Sequence, residues 1–247
     1  MFLQYGPKPY VSIVLLAYNE EESLPGVFKD LDEHVPSSVG EYGVEYILVN
    51  DCSSDDTGKI MDEWAMAKKG REEVKVVHHK LRSGPGAAAM TGVMFASGDY
   101  VLTMDGDGQH RGVDVKKIID ELRDNPGRYD YIIGCRGKGT PVNWMRLPGK
   151  KCLYFAVQSV INGKIQDYNS GLRAIRRDIF LGWIHLLSKG YGVPTSTTIL
   201  AVRSGLEGKE VPIIAPRRAG GKSRVCQARD GLRTLWLILK MKMATPV

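Results

Sequence analysis

Five short runs rich in β-branched and aromatic residues recur through the first 136 residues, and segments of helical spacing separate them. The runs are VSIVLLAY (11–18), VEYILVND (44–51), VKVVHH (74–79), YVLTMD (100–105) and YDYIIGCR (129–136). Near-continuous apolar character marks strands covered on both faces. The segments between them, EEESLPGVFKDLDEH, DDTGKIMDEWAMAKK, GAAAMTGVMFAS and GVDVKKIIDELRD, carry apolar residues close to a 3.6 period and read as covering helices. Strands joined by helical crossovers pair in parallel. The expected fold is therefore α/β, a Rossmann-like mostly parallel sheet flanked by helices. Such sheets bind ligands in the crevice beyond the strands' carboxyl ends. After residue 136 the rhythm breaks into Gly/Pro-rich and basic segments, which predicts a second half that closes the site.

Composition narrows the classes. With 247 residues, 43% hydrophobic and 25% charged, the chain can bury one sizeable core. No window reaches the roughly 18 consecutive apolar residues of a membrane span. MFLQYGPKPY lacks the basic-then-apolar pattern of a secretory signal, so the expectation is a cytoplasmic protein without a transmembrane anchor. Cys52, Cys135, Cys152 and Cys226 lie far apart and predict free thiols rather than a metal site or disulfide framework. A net charge of +6 favours an anionic partner: nucleic acid, a membrane surface or phosphates.

Each predicted strand ends in a polar cluster. AYNEEE and VNDCSSDDT put Asn19, Glu20 and Asp51 at neighbouring strand tips, where they can meet a base and a ribose. Ser54, Asp55 or Asp56 can equally cap the following helix. In KLRSGPGAAAMTG, Gly84, Gly86 and Gly92 allow tight helix packing and close backbone approach to a ligand. The spacing matches neither a P-loop nor a dinucleotide fingerprint. In VLTMDGDGQH, Asp105 and Asp107 share a face and Gly106 removes the side chain between them. At about 4 Å and an effective dielectric of 20, two like charges cost roughly 4 kcal/mol, and a bound divalent cation reverses the sign. Hard oxygen ligands favour Mg2+ or Mn2+, with Gln109 as a further oxygen and His110 as a ligand or hydrogen-bond donor. Taken alone, DGDG also suits an exposed turn.

AYNEEESL, VNDCSSDDT, GPGAAAMTG, GDYVLTMDGDGQH, DYNSGLRAIRRDIF, VPI and RAGGKSR occur in the order seen in family 2 glycosyltransferases of GT-A fold. The chain most resembles the dolichyl-phosphate mannose synthases and other polyprenyl-phosphate glycosyltransferases, over roughly residues 10 to 235. The resemblance implies a nucleotide-sugar pocket lined by Ala17, Tyr18, Asn19, Glu20, Asp51, Gly84, Asp105 and Gly106. It implies a metal held by Asp105, Asp107 and Gln109, and a catalytic set of Asp107, Asp167 and Arg173. Arg218, Gly221, Ser223 and Arg224 match a basic segment that closes over the donor. Arg136, Arg146, Lys150 and Ser170, with Lys151, are the candidates for the acceptor phosphate. The implied layout is one GT-A domain over 1–224, with a nucleotide half (10–107) and an acceptor half (108–224), then an amphipathic helix over 225–247. Where the family has Asn-x-Gly and then often Lys, this chain has Arg82-Ser83-Gly84 and then Pro85, so Arg82 and Pro85 depart from the pattern, and Arg111 replaces a usual proline.

The resemblance implies an inverting, metal-dependent hexosyltransferase that moves a mannose- or glucose-type sugar from a GDP- or UDP-sugar to a polyprenyl or dolichyl phosphate. An ionised acceptor phosphate needs no base. With a hydroxyl acceptor, the second enzyme reading, Asp167 is the candidate base. A basic nucleic-acid-binding module is a distant third, because the basic residues lack interleaved aromatics, and no nucleic-acid partner is expected. In the tail RDGLRTLWLILKMKM, Leu232, Leu235, Trp236, Leu239 and Met243 stand among Arg229, Arg233, Lys240 and Lys242. That composition suits a helix lying peripherally on the cytoplasmic face of a membrane, or one packed on its own core, a homodimer partner or a membrane-anchoring protein.

Overall fold

The alternation read from the sequence resolves into β1 (Val11–Ala17), α1 (Leu24–His34), β2 (Val44–Asn50), α2 (Thr57–Lys68), β3 (Glu73–His78), α3 (Pro85–Phe95), β4 (Tyr100–Asp105), α4 (Gly112–Asp124) and β5 (Tyr131–Arg136). This computed structural model describes residues 10–35, 43–70, 72–137, 140, 147–161, 165–218 and 227–243. The second half adds α5 (Leu147–Ile161), β6 (Arg173–Arg176), α6 (Arg177–Trp183) with a 3₁₀ turn at Ile184–Leu186, α7 (Val193–Arg203), β7 (Gly208–Ile213) and α8 (Gln227–Met243). Neither β6 nor β7 carries a strand signature. β6 is only RAIR, with a charge at each end, and β7 reads GKEVPI, with burial confined to Val211 and Ile213.

The seven strands form one sheet in the order β3-β2-β1-β4-β6-β5-β7. β6 alone runs antiparallel to its neighbours β4 and β5, so the sheet is mostly parallel, as expected. Register levels the strand tips: Ala17 lies opposite Asn50 and Leu16 opposite Asp105. Strand order reverses at β1, whose neighbours are β2 and β4, and that reversal opens a crevice above their carboxyl ends.

Both faces of β1 are buried, which explains its unbroken apolar run. Val11, Ile13, Leu15 and Ala17 pack with Leu24, Val27, Phe28 and Leu31 of α1 and Val115, Ile118 and Leu122 of α4. Val14 faces the other layer, with Ala88, Ala89 and Val93 of α3 and Phe180 and Trp183 of α6. Gly92 lets α3 lie close on the sheet, since a Cβ there would stand 2.1 Å from Val14 Cγ1. At the start of α3 the Gly86 and Ala87 N–H groups donate to the Lys189 carbonyl at 2.9 and 3.2 Å. A third cluster joins Val157, Val160 and Ile161 of α5, Ile199 of α7, and Ile238 and Met241 of α8, so α8 is packed against the protein. Its other face leaves Leu232, Trp236 and Leu239 exposed at 68%, 59% and 49%. Among the described residues no helix is long and apolar enough to cross a membrane.

Helix propensity favours alanine over glycine, yet a Cβ on Gly86 would lie 2.0 Å from the Ser188 carbonyl oxygen. Gly86→Ala should therefore destabilise by about 1–3 kcal/mol, the usual range for overpacking. A urea midpoint unchanged or raised in the variant would show that this contact does not constrain α3.

Candidate active site

The strand-tip crevice continues into a cleft of about 860 Å³. Ala17, Tyr18, Glu20, Asp51, Asp105 and Asp107 line it on the strand-tip side, and Arg136, Asn169, Gly171 and Tyr191 are also among its lining residues. Cys152 and Leu153 of α5 and Asp230 through Leu232 of α8, with Thr234 and Leu235, form a further wall.

The first two strand tips are stitched together. Asn19 and Cys52 take left-handed backbone angles, φ 53° and 62°. The Asn19 side chain accepts the Ser54 N–H at 2.9 Å and donates to Ser54 Oγ at 3.0 Å, so its amide holds the β2 loop. The Glu20 N–H donates to Thr57 Oγ1 at 2.7 Å and Asp55 accepts the Thr57 N–H at 3.1 Å, while Asp56, at the N-cap of α2, makes no side-chain capping bond. Asp51 accepts the Ser83 and Gly84 N–H groups, both at 2.8 Å, and lies 2.9 Å from His79 Nδ1. Gly84, at φ 95°, abuts the Lys189 carbonyl, where its Cβ would stand 2.7 Å away. Asn19, Asp51 and Gly84 thus shape the pocket's loops, while Tyr18 is exposed to the cleft under the Arg82 guanidinium, 4.2 Å from its ring centroid.

Asp105 and Asp107 come off the end of β4 with Gly106 packed beneath them against Leu24, Ala17 and Leu15. The Asp105 N–H donates to His110 Nδ1 at 3.0 Å, which spends that nitrogen on the loop. Asp107 accepts the Gln109 N–H at 3.0 Å, and Gln109 Nε2 donates to the Pro216 carbonyl at 3.1 Å, leaving the amide oxygen as that side chain's acceptor. Burial pushes the Asp105 carboxyl above its ordinary value, His110 works against this, and the Asp107 charge adds to it. Arg218 is hydrogen-bonded to Glu20, whose other oxygen lies 2.9 Å from Ser23 Oγ. Its second terminal nitrogen lies 3.9 Å from Asp107 Oδ2.

In the second half, Arg136 grips Asp167 through two hydrogen bonds of 2.6 and 2.7 Å. Burial pushes the Asp167 carboxyl upward, but the Arg136 hydrogen bonds and charge outweigh it and hold the group below its ordinary value. Two expectations change here. Arg173, 2% exposed, borders the cleft, but its guanidinium is taken up within the protein: it donates to the Ser170 carbonyl at 2.9 and 2.5 Å, the Pro194 carbonyl at 2.7 Å, and Thr197 and Thr198 Oγ1 at 2.8 and 3.0 Å. Its guanidinium pins the 168–171 loop to α7, and burial pulls it down to about 9. Ser170, within that loop, is buried and is not among the residues lining the cleft. Lys151 is exposed on α5. Arg146, Gly221, Ser223 and Arg224, and the side chain of Lys150, lie outside the described residues.

A model of the family described as Glycosyl transferase family 2 matches residues 12–182. The chain belongs to that family. Among curated proteins, this family member is 27% identical over 222 residues to the undecaprenyl-phosphate 4-deoxy-4-formamido-L-arabinose transferase of Klebsiella pneumoniae (strain 342). The match covers 90% of this chain and 64% of that one, so the chain spans somewhat under two-thirds of its relative's length. Among solved structures it resembles glucosyl-3-phosphoglycerate synthase from Mycobacterium tuberculosis in complex with Mn2+, UDP-glucose and phosphoglyceric acid, at a TM-score of 0.69 and 18% identity over 96% of this chain and 81% of that one. The same enzyme with Mg2+ and UDP gives a TM-score of 0.68 at 18% identity, over 96% and 80% of the two chains. At these identities the likeness establishes the fold, which is GT-A.

The sequence does not flag Cys152, Leu153 or Tyr191, and it marks Leu232 and Leu235 for an interfacial helix rather than for the cleft wall. The Arg136–Asp167 pair makes a pH prediction. A depressed carboxyl stabilises the fold above its unfolded value, 3.8, and that contribution fades as pH falls through the folded value. Arg136→Met should flatten this acid limb and cost about 2 kcal/mol at neutral pH, less than for a fully buried pair because Arg136 is one-third exposed. Urea unfolding at pH 7 and pH 3.5 checks it; an equally steep loss in both proteins would remove Asp167 as its source.

Proposed function

We propose that this family 2 glycosyltransferase moves a sugar from a nucleoside-diphosphate sugar to a lipid phosphate, with inversion at the anomeric carbon. The observation that carries the acceptor class is Asp167. Clamped by Arg136 and held ionised below the usual carboxylate range, it is a poor proton acceptor, which argues against a hydroxyl acceptor activated by this residue. An acceptor phosphate already carries its negative charge. One of its oxygens attacks the anomeric carbon, the bond from that carbon to the diphosphate breaks, and the electron pair leaves with the nucleoside diphosphate. The Klebsiella relative, named for an undecaprenyl-phosphate acceptor, supports the same reading.

The donor set suits a hard divalent ion. Asp105 and Asp107 supply two carboxylates from one strand end and Gln109 an amide oxygen. Among the described residues no group of three or more His, Cys, Asp or Glu is arranged to hold a metal, so the donor's own oxygens would complete the shell. Bound there, Mg2+ or Mn2+ supplies charge stabilisation to the leaving diphosphate. The chain's residues do the rest: Tyr18 and Arg82 border the base end, Arg218 approaches the diphosphate, and Arg136 lies on the acceptor side. Leu232, Trp236 and Leu239, with Lys240 stacked 3.9 Å over Trp236, form a surface suited to an anionic membrane. Leu232 also lines the cleft, so a lipid phosphate entering from that surface meets the site directly. Within this reading the chain up to residue 224 is the catalytic domain, and 10–107 is its nucleotide half.

The test is transfer from GDP- and UDP-sugars to a short polyprenyl phosphate, to phosphoglyceric acid and to simple sugars, with Mn2+ or Mg2+. A lipid-linked product is expected, reduced roughly 100-fold or more in Asp107→Ala. Product on a hydroxyl acceptor alone would overturn the acceptor reading. Separately, Trp236→Ser with Leu232→Ser should lose most sedimentation with phosphatidylserine vesicles at low salt. Retained binding would place the membrane contact elsewhere.

A further inference from the structure

Arg218 joins acidic groups from two different strand tips. One terminal nitrogen is hydrogen-bonded to Glu20, the other stands 3.9 Å from Asp107, and its buried Nε–H has no hydrogen-bond partner among the described residues. A buried donor without an acceptor calls for a ligand or a second arrangement of the side chain. Glu20 is itself buried and held by Ser23, so it anchors the guanidinium at a fixed point. Among the described residues Arg218 is the cation within ion-pair distance of Glu20 and of Asp107.

These contacts bear on the order in which ligands arrive. A divalent ion approaching Asp107 alone meets a positive charge already beside that carboxylate. A diphosphate changes the balance, because its oxygens offer the planar guanidinium two acceptors and an acceptor for Nε–H as well. We propose that Arg218 is the cleft's resident counter-cation, parked by Glu20 beside Asp107, so that the divalent ion enters together with the diphosphate rather than ahead of it. This rests on Asp105 and Asp107 being the pair that holds the metal. Glu20 is then a positioning residue: it holds Arg218 while the cleft is empty and receives it again when the product leaves. Linkage requires the effect to be mutual, with diphosphate strengthening metal binding by the factor with which metal strengthens diphosphate binding.

The experiment is Mn2+ titration of the full chain, followed by the electron paramagnetic resonance signal of the free ion, without nucleotide and then with UDP or GDP. Arg218→Gln should bind Mn2+ alone at least tenfold more tightly than wild type, about 1.4 kcal/mol. Arg218→Lys, which keeps the charge, should stay near wild type. Equal Mn2+ affinity in wild type and Arg218→Gln overturns the proposal. A second measurement needs no variant: in the wild type, UDP or GDP should raise Mn2+ affinity well beyond UMP or GMP. Equal effects of mono- and diphosphate also overturn it. If the wild type takes up no Mn2+ even with UDP and GDP, the underlying reading of Asp105 and Asp107 as the metal pair is what fails.

Discussion

Because β1 is hydrogen-bonded to parallel neighbours on both sides and covered by helices on both faces, its only open direction is past Ala17. The helices that follow β1 and β4, α1 and α4, pack together on one layer of the sheet, and α3 covers the other. Several of the acids that line the cleft are positioned from the neighbouring strand tips. Glu20 stands three residues beyond β1, Asp51 follows β2, and Asp105 ends β4. A slip of one residue in either pairing would turn these side chains to the other face of the sheet.

Gathering acids at one edge has to be offset, and the fold does so in three ways. Asp51 is satisfied by backbone N–H groups of Ser83 and Gly84. Asp167 is satisfied by a bidentate arginine. Glu20 is held by Arg218 and Ser23. Asp105 and Asp107 differ: each takes part in local loop bonding, Arg218 stands 3.9 Å from Asp107 without a hydrogen bond to it, and the pair faces the cleft. Different solutions for chemically similar carboxylates separate the groups that build the pocket from those directed into it.

How much of this was legible in the sequence depends on distance along the chain. Four of the five strands of the first half could be read because burial on both faces leaves continuous apolar runs; β3, at the sheet edge with no buried residue, shows only through its β-branched content. The DGD turn could be read because it follows such a run at once. Arg173 could not: its motif suggested an anion partner, but the acceptors that satisfy it are carbonyls and hydroxyls up to 25 residues away on α7. Glu45 shows the same limit inside an apolar strand. It is fully buried and accepts from Ser12, Ser97 and Gly98, residues brought together only by the sheet. Asn19 looked like a ligand contact because the sequence does not reveal that Ser54 lies across the gap. β6 and β7 were hidden because, in a strand of four residues or one buried at only two, pairing rather than composition defines the strand.

The bond from Lys189 to the start of α3 has one more consequence. A helix N-terminus that opens on a strand-end crevice is a ready-made seat for phosphate, since its N–H groups have no partners within the helix. Here Gly86 and Ala87 have already given theirs to a carbonyl of the chain's own second half. That seat is plugged by protein. An anionic ligand in this cleft must draw on side-chain guanidinium groups and on a bound cation instead, so its hold on phosphate should weaken with added salt more steeply than in folds that grip phosphate with backbone amides.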